Sequence, residues 1–255
     1  MFVEEHHEIN GIDTAVLTAG EGLPIVFFHG AGTATGFDAL LPLAENARLI
    51  VPNHPGFGAS ADDPSIDSVQ DYILHYLDLF DHLGLDEISL VGHSLGGNMA
   101  ATFAMLYPRR VRRLALAAPW GLLVPEAPTV DFFAIPPEEV LAYLVADLTP
   151  YAELPPPPPE FLAARERETA SYARVGGKRP YDLKIQRWLH RVAAPTLIVW
   201  GEADRLIPVA QAAVWREHIA DARVHLLPGV GHLVFDETPD AVAAVAEHVG
   251  VGITA

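Results

Sequence analysis

The 255-residue chain contains no cysteine. Disulfides, thiolate nucleophiles and cysteine-held metals are thereby excluded. No apolar run approaches the roughly 18 residues of a membrane span. The first residues, Met1-Phe2-Val3-Glu4-Glu5-His6-His7, also lack the basic and then apolar order of a signal peptide. The expectation is a cytoplasmic protein with no membrane span. Positive charge is scarce: 16 Lys and Arg stand against 33 Asp and Glu, for a formal net charge of −17. Such a chain repels phosphate backbones, which argues against nucleic acid as a partner. The scarcity is uneven. Eight of the basic residues (Arg165, Arg167, Arg174, Lys178, Arg179, Lys184, Arg187 and Arg191) fall between positions 165 and 191, where only Glu166, Glu168 and Asp182 oppose them.

What is present is the composition of a single folded domain. Half of the residues are hydrophobic and 19% are charged, enough apolar surface for one large core. Asn10-Gly11 joins two short strands at residues 2 to 9 and 12 to 18, a hairpin signal. Pro24 to Phe28 and Arg48 to Pro52 are continuous apolar runs of the kind buried on both faces of a parallel sheet. Each empties into a glycine-bearing loop, His29-Gly30-Ala31-Gly32 and Asn53-His54-Pro55-Gly56-Phe57-Gly58-Ala59-Ser60. A helix is expected from Phe37 to Glu45. Another runs from Ser68 to Leu83, where Val69, Tyr72, Ile73, Tyr76, Leu77 and Phe80 recur at three- and four-residue spacing. Strands at 87 to 91 and 111 to 118 flank a helix ending at Tyr107. At Pro119-Trp120 the alternation stops. It resumes with a strand from Thr196 to Trp200, a helix from Pro208 to Ile219, a strand from Arg223 to Leu227 and a helix from Pro239 to Val249. The fold class is therefore α/β, a mostly parallel β-sheet flanked by helices. Residues 1–118 and 186–255 form the core, and 119–185 a helical insertion. Within the insertion, Pro155 to Pro159 favour a stiff extended connector over a partner ligand.

The chemistry gathers around Gly92-His93-Ser94-Leu95-Gly96, which reads as strand, sharp turn and helix. A serine held at such a turn stands clear of the sheet, beside the amides of the following helix. A hydroxyl is a weak nucleophile until a base takes its proton and an acid orients that base. His232, in Gly229-Val230-Gly231-His232-Leu233, follows the strand ending at Leu227 on the same sheet edge. Asp204, in Gly201-Glu202-Ala203-Asp204-Arg205-Leu206, follows the strand ending at Trp200, with Glu202 in reserve. Asp204 can also serve only as a loop cap or as a partner of Arg205. Of the other histidines, His75, His82, His218 and His248 lie on helices and read as solvated, and His6 and His7 lie on an edge strand.

These motifs resemble the serine-nucleophile members of the α/β-hydrolase fold family, whose nucleophile elbow is G-x-S-x-G and whose triad order is Ser, Asp, His. The resemblance covers nearly the whole chain. It implies a cofactor-free and metal-free hydrolase, with Ser94, Asp204 and His232 as catalytic residues and the backbone amides of Leu95 and Ala31 as the oxyanion hole, Gly32 being the alternative donor to Ala31. It makes the 119–185 insertion a cap over the nucleophile. Trp120, Leu123, Phe132, Phe133, Leu206 and Leu233, with His29, Gly30, Gly32 and His93, are the expected pocket residues. Leu122, Leu141, Tyr143 and Leu144 can wall it too or hold the cap to the body. His29 and His93 are expected to brace loops by hydrogen bonding. The expected partner is a small substrate, largely apolar, with a carboxylate as the alternative guided by the basic window; the chain is a monomer or homodimer. The first reaction implied is cleavage of a small ester or related acyl compound through an acyl-enzyme. A carbon–carbon bond hydrolase of meta-cleavage-type carboxylated substrates is the alternative, although that subfamily usually has asparagine where His93 stands. Relatives with aspartate at the position of Ser94, the haloalkane dehalogenases and most epoxide hydrolases, fit poorly. The alternative from another class is a ligand-binding member with little turnover.

Overall fold

A computed structural model describes residues 1–32, 36–177 and 179–253. Lys178, part of the basic window, lies outside the described residues. The sheet begins with an antiparallel hairpin, β1 (Val3–Ile9) and β2 (Ile12–Ala19), turning through Asn10 and Gly11, both at positive φ. Next come β3 (Pro24–Phe28) and β4 (Arg48–Pro52), both nearly fully buried as their unbroken apolar runs require. Between them the expected helix at Phe37–Glu45 is a 3-10 helix with Pro42 inside it, a residue that can donate no ladder bond. Helix α1 (Val69–His82) starts at Ser68, whose side chain accepts from the Asp71 amide. Strand β5 (Ile88–His93), helix α2 (Leu95–Leu106) and strand β6 (Val111–Ala117) follow.

The sheet order is β1-β2-β4-β3-β5-β6, continued by β7 (Thr196–Gly201) and β8 (Ala222–Leu227); β2 pairs antiparallel with β4, and β3 to β8 run parallel with it to one another. One face is covered by α1 and α2 and by α6 (Gln211–His218), below. The other is covered by the 3-10 helix at 37–45 together with two C-terminal helices, the short 234–237 turn and the 239–249 helix. Parallel strands deliver their loops to one edge. His29, Ser94, Trp120, Asp204 and His232 all lie on segments leaving the carboxyl ends of β3, β5, β6, β7 and β8, the place where open α/β sheets gather ligands.

Between β6 and β7 the described residues form helices and loops with no strand: α3 (Val140–Leu144), α4 (Pro159–Gly176), α5 (Ile185–Trp188) and three short 3-10 turns. The residues up to Pro158 form an exposed connector, and Pro159 opens α4 at a first-turn position where its missing N–H costs nothing. The helices at Val234–Glu237 (α7) and Pro239–Val249 (α8) close the chain. Helix α4 is fixed to the body through polar contacts. The Gly58 amide donates to Glu168 Oε1 at 2.9 Å, Arg167 donates to Gly58 O at 2.7 Å and Arg174 Nη1 donates to Asp62 Oδ2 at 3.2 Å. Two residues of the basic window, Arg167 and Arg174, therefore help to dock this helix, Arg167 while still exposed to solvent.

Two histidines read as solvated are buried. His75 is 5% exposed and donates to Thr14 Oγ1 at 3.0 Å, while His248 is 8% exposed and donates to Leu114 O at 2.9 Å. Apolar periodicity sees only apolar residues. A polar ring that finds a partner on the buried face looks, in sequence, like a residue on the wet one.

Candidate active site

The turn between β5 and α2 holds Ser94 at φ 53°, ψ −117°, a strained conformation for a residue with a side chain. Steric room explains the flanking glycines. A Cβ on Gly92 would lie 2.2 Å from Gly96 O, and one on Gly96 would lie 2.1 Å from Phe28 O. Both contacts are with backbone, so no side-chain movement relieves them. The close approach sets the first amides of α2, beginning with Leu95, beside the serine, and first-turn amides have no intrahelical acceptor. The Leu95 side chain itself packs into the core at 1% exposure.

His232 and Asp204 meet at this edge. His232 Nδ1 donates to Asp204 Oδ2 at 2.8 Å, with the two side chains 2% and 0% exposed. Asp204 Oδ1 accepts from the Leu206 and Ile207 amides, each at 2.9 Å. One oxygen caps its own loop while the other accepts from the imidazole. Arg205 is not its partner and donates instead to Ala142 O at 2.9 Å. Glu202 is exposed. The histidine loop is tied to α3: Leu144 O accepts from the His232 amide at 2.8 Å and from Leu233 at 3.0 Å. Glu237, unnoticed in the sequence, bridges the same parts, accepting from Gly231 N at 3.0 Å and Ala146 N at 2.8 Å.

His29 and His93 act as braces. His93 Nε2 donates to His232 O at 2.9 Å, and burial together with the neighbouring His232 ring lowers its pKa to about 3. His29 Nδ1 donates to Gly30 O at 2.8 Å, and its Nε2 accepts from the His54 amide at 3.1 Å. His54 Nε2 returns a bond to His29 O at 2.9 Å, while its Nδ1 accepts from the Tyr76 hydroxyl. The His29 and His54 rings thus each have one donating and one accepting nitrogen, the pattern of neutral imidazole. Burial lowers His29 to about 4 and holds His54 well below the ordinary range.

This pairing has a consequence for stability. The unfolded chain takes protons on these rings as pH falls through about 6.5, whereas folded His29 stays neutral until about 4. Stability is therefore present at neutral pH and is lost between those limits. Each such ring contributes a loss of about 2 kcal/mol between pH 7 and 5. Urea midpoints are expected to be clearly lower at pH 5 than at pH 7; equal midpoints would contradict the neutral assignment.

A cavity of about 440 Å³ opens over Ser94 and His232. Of the residues expected around it, His29, Gly30, Ala31, Gly32, His93, Trp120, Phe132, Phe133, Leu206 and Leu233 all line it. Leu123 does not: it is 42% exposed and absent from the lining, while its neighbour Leu122 packs into the core at 1%. The run Gly121-Leu122-Leu123 is irregular chain without a period, so sequence alone did not say which leucine turns inward. Leu141 and Leu144 also line the cavity, and Tyr143 packs against the core instead. Helix α4 adds a face that sequence reading missed, Phe161, Arg165, Thr169, Tyr172 and Gly176, at successive turns. Among the described residues, no group of three His, Cys, Asp or Glu side chains is arranged to hold a metal, and no helix is long and apolar enough to cross a membrane.

The family model for the alpha/beta hydrolase family matches residues 25–245, the span that holds the elbow serine, the buried His–Asp pair and most of the cavity lining. The chain belongs to the alpha/beta hydrolase family. It is a hydrolase by that membership and by its relatives. It is 28% identical to 2-hydroxy-6-oxo-2,4-heptadienoate hydrolase of Pseudomonas putida, over 88% of this chain and 87% of that one. It is also 28% identical to 2-hydroxy-6-oxo-6-(2'-aminophenyl)hexa-2,4-dienoic acid hydrolase of Metapseudomonas resinovorans, over 95% and 89%. Among solved structures, a thermophilic esterase from Thermogutta terrifontis superposes with a TM-score of 0.79 at 25% identity, over 97% of this chain and 98% of that one.

Proposed function

We propose that this alpha/beta hydrolase cleaves a small ester or related acyl compound through an acyl-enzyme, with Ser94 as nucleophile, His232 as general base and Asp204 as the acid that orients it. The observation that carries the reading is the buried 2.8 Å bond between His232 and Asp204, on the cavity that also holds the elbow serine. With Nδ1 donating to Asp204, Nε2 is the nitrogen left to take the Ser94 proton and pass it to the leaving group. The charge that develops on the carbonyl oxygen is met by the Leu95 amide, at the start of α2, and by the Ala31 or Gly32 amide from the loop after β3. Water, deprotonated by the same imidazole, then releases the acid.

Residues 119–185 act in this reading as a cap that walls the acyl pocket. Phe132, Phe133, Leu141, Leu144, Phe161 and Tyr172 make it largely apolar. Among the described residues Arg165 is the sole Arg or Lys in the lining, which suits a substrate that ends in a carboxylate. That cation and the names of the two relatives above favour one second reading, hydrolysis of a carbon–carbon bond in a dienol-ketone carboxylate. His93 speaks for the ester, since the carbon–carbon subfamily usually has asparagine where this histidine stands. A series of p-nitrophenyl esters from acetate to dodecanoate, run beside a dienol-ketone carboxylate with Ser94→Ala as blank, separates the two. Rapid ester turnover without ketone cleavage is expected. Ketone cleavage with slow esters would transfer the assignment to the second reading.

A further inference from the structure

Where β6 ends, Ala118 takes φ 40° and the chain turns through Pro119 into the site. The Trp120 amide donates to Ser94 O at 2.9 Å, so this residue is tied to the elbow itself. Its indole lines the cavity and is 5% exposed, and its Nε1–H is buried with no hydrogen-bond partner. Tyr172 stands edge-on to it, centroids 6.5 Å apart at 82°, and Phe132 and Phe133 pack against Tyr172 in turn. The ring is thereby held in one orientation by the cap.

A buried donor without an acceptor is costly, and native proteins satisfy nearly all of them. The indole of Trp200, by contrast, donates to Ile207 O at 3.1 Å. Trp215 Nε1 is unpaired as well, but that ring is fully buried and is not part of the cavity lining. Among the described residues Trp120 is the cavity-lining tryptophan, and its buried indole N–H has no partner within the protein.

We infer that the Trp120 N–H is a specificity-determining donor that selects acyl groups carrying an acceptor oxygen, ether, keto or carboxylate, a few atoms from the scissile carbonyl. The inference rests on Ser94 being the nucleophile. A site built to bond an oxygen disfavours the analogue lacking it more strongly than an apolar pocket can, because the donor is then left orphaned. Arg165, Thr129 and Thr169 also line the cavity, but Trp120 is the lining residue whose amide is bonded to the elbow serine and whose side-chain donor is buried without a partner.

The test uses p-nitrophenyl methoxyacetate and p-nitrophenyl butanoate, which differ by an oxygen in place of a methylene. The full-length Ser94→Ala protein, labelled with nitrogen-15, has four tryptophans and so at most four indole N–H signals. The Trp120 signal is assigned by its loss in Trp120→Phe. The methoxyacetate is expected to move that signal downfield while the butanoate does not, with the Trp200 and Trp215 signals still. In the active enzyme, the ratio of kcat/KM for methoxyacetate over butanoate is expected to fall about three- to tenfold in Trp120→Phe. The ratio cancels the intrinsic reactivity of the two esters. A Trp120 signal that responds equally to both ligands, or to neither, would overturn the inference. Failure of the hydrolase reading is seen separately, as absence of turnover of either ester by the active enzyme, while the binding arm still reports on Trp120.

Discussion

Ser94→Ala is expected to lower kcat for ester turnover by about a millionfold, to the level left by binding and oxyanion contacts alone. Removing Oγ removes the only covalent route, and no other hydroxyl stands at the elbow. The fold should survive. Alanine accepts the same positive φ about as readily as serine does, and the Ser94 bonds that join the elbow to its surroundings are made by the backbone, N to Ala117 O at 2.9 Å and O from Trp120 N at 2.9 Å. A thermal midpoint near that of the parent, with turnover lost, is the expected pair of observations. Substantial remaining activity would mean that the chemistry runs through another group.

The second large effect is expected from Asp204→Asn, about ten-thousandfold in kcat. The carbonyl oxygen of asparagine can still accept from the Leu206 and Ile207 amides, as Asp204 Oδ1 does now at 2.9 Å. The loop is then kept. The amide nitrogen, however, donates where Oδ2 accepted, and His232 Nδ1 must give up its proton to receive it. The imidazole is driven into the other tautomer, with its proton on Nε2, and can no longer take one from Ser94. Loss of activity with little loss of stability is the signature of that switch. Asp204→Ala should lose both, because it removes the loop's acceptor as well. If Asp204→Asn retained full activity, Asp204 would be a loop residue only.

Much of this architecture was legible because burial on both faces leaves a simple trace. The runs at Pro24–Phe28 and Arg48–Pro52 mark their strands to the residue, and the ends of the parallel strands then place Ser94, Asp204 and His232 on one edge. The insertion was harder. Helix α4 presents Phe161, Arg165, Thr169, Tyr172 and Gly176 to a cavity that is both apolar and polar, so no hydrophobic period marks its inner face. Its other contacts, Glu168 with Gly58 and Arg174 with Asp62, join residues more than a hundred positions apart and look in sequence like ordinary solvated charge. Glu237 was invisible for the same reason: its two acceptor bonds go to backbone amides, which leave no side-chain pattern. Side chains whose partners are backbone groups of a distant loop are read only once the chain is folded.

Covalent capture tests most directly whether Ser94 is a nucleophile activated by His232. Incubation of the protein with a fluorophosphonate at neutral pH, followed by peptide mass spectrometry, is expected to find one adduct on the peptide containing Ser94, with labelling abolished in Ser94→Ala and strongly slowed in Asp204→Asn. An unlabelled Ser94 in folded protein would contradict the account.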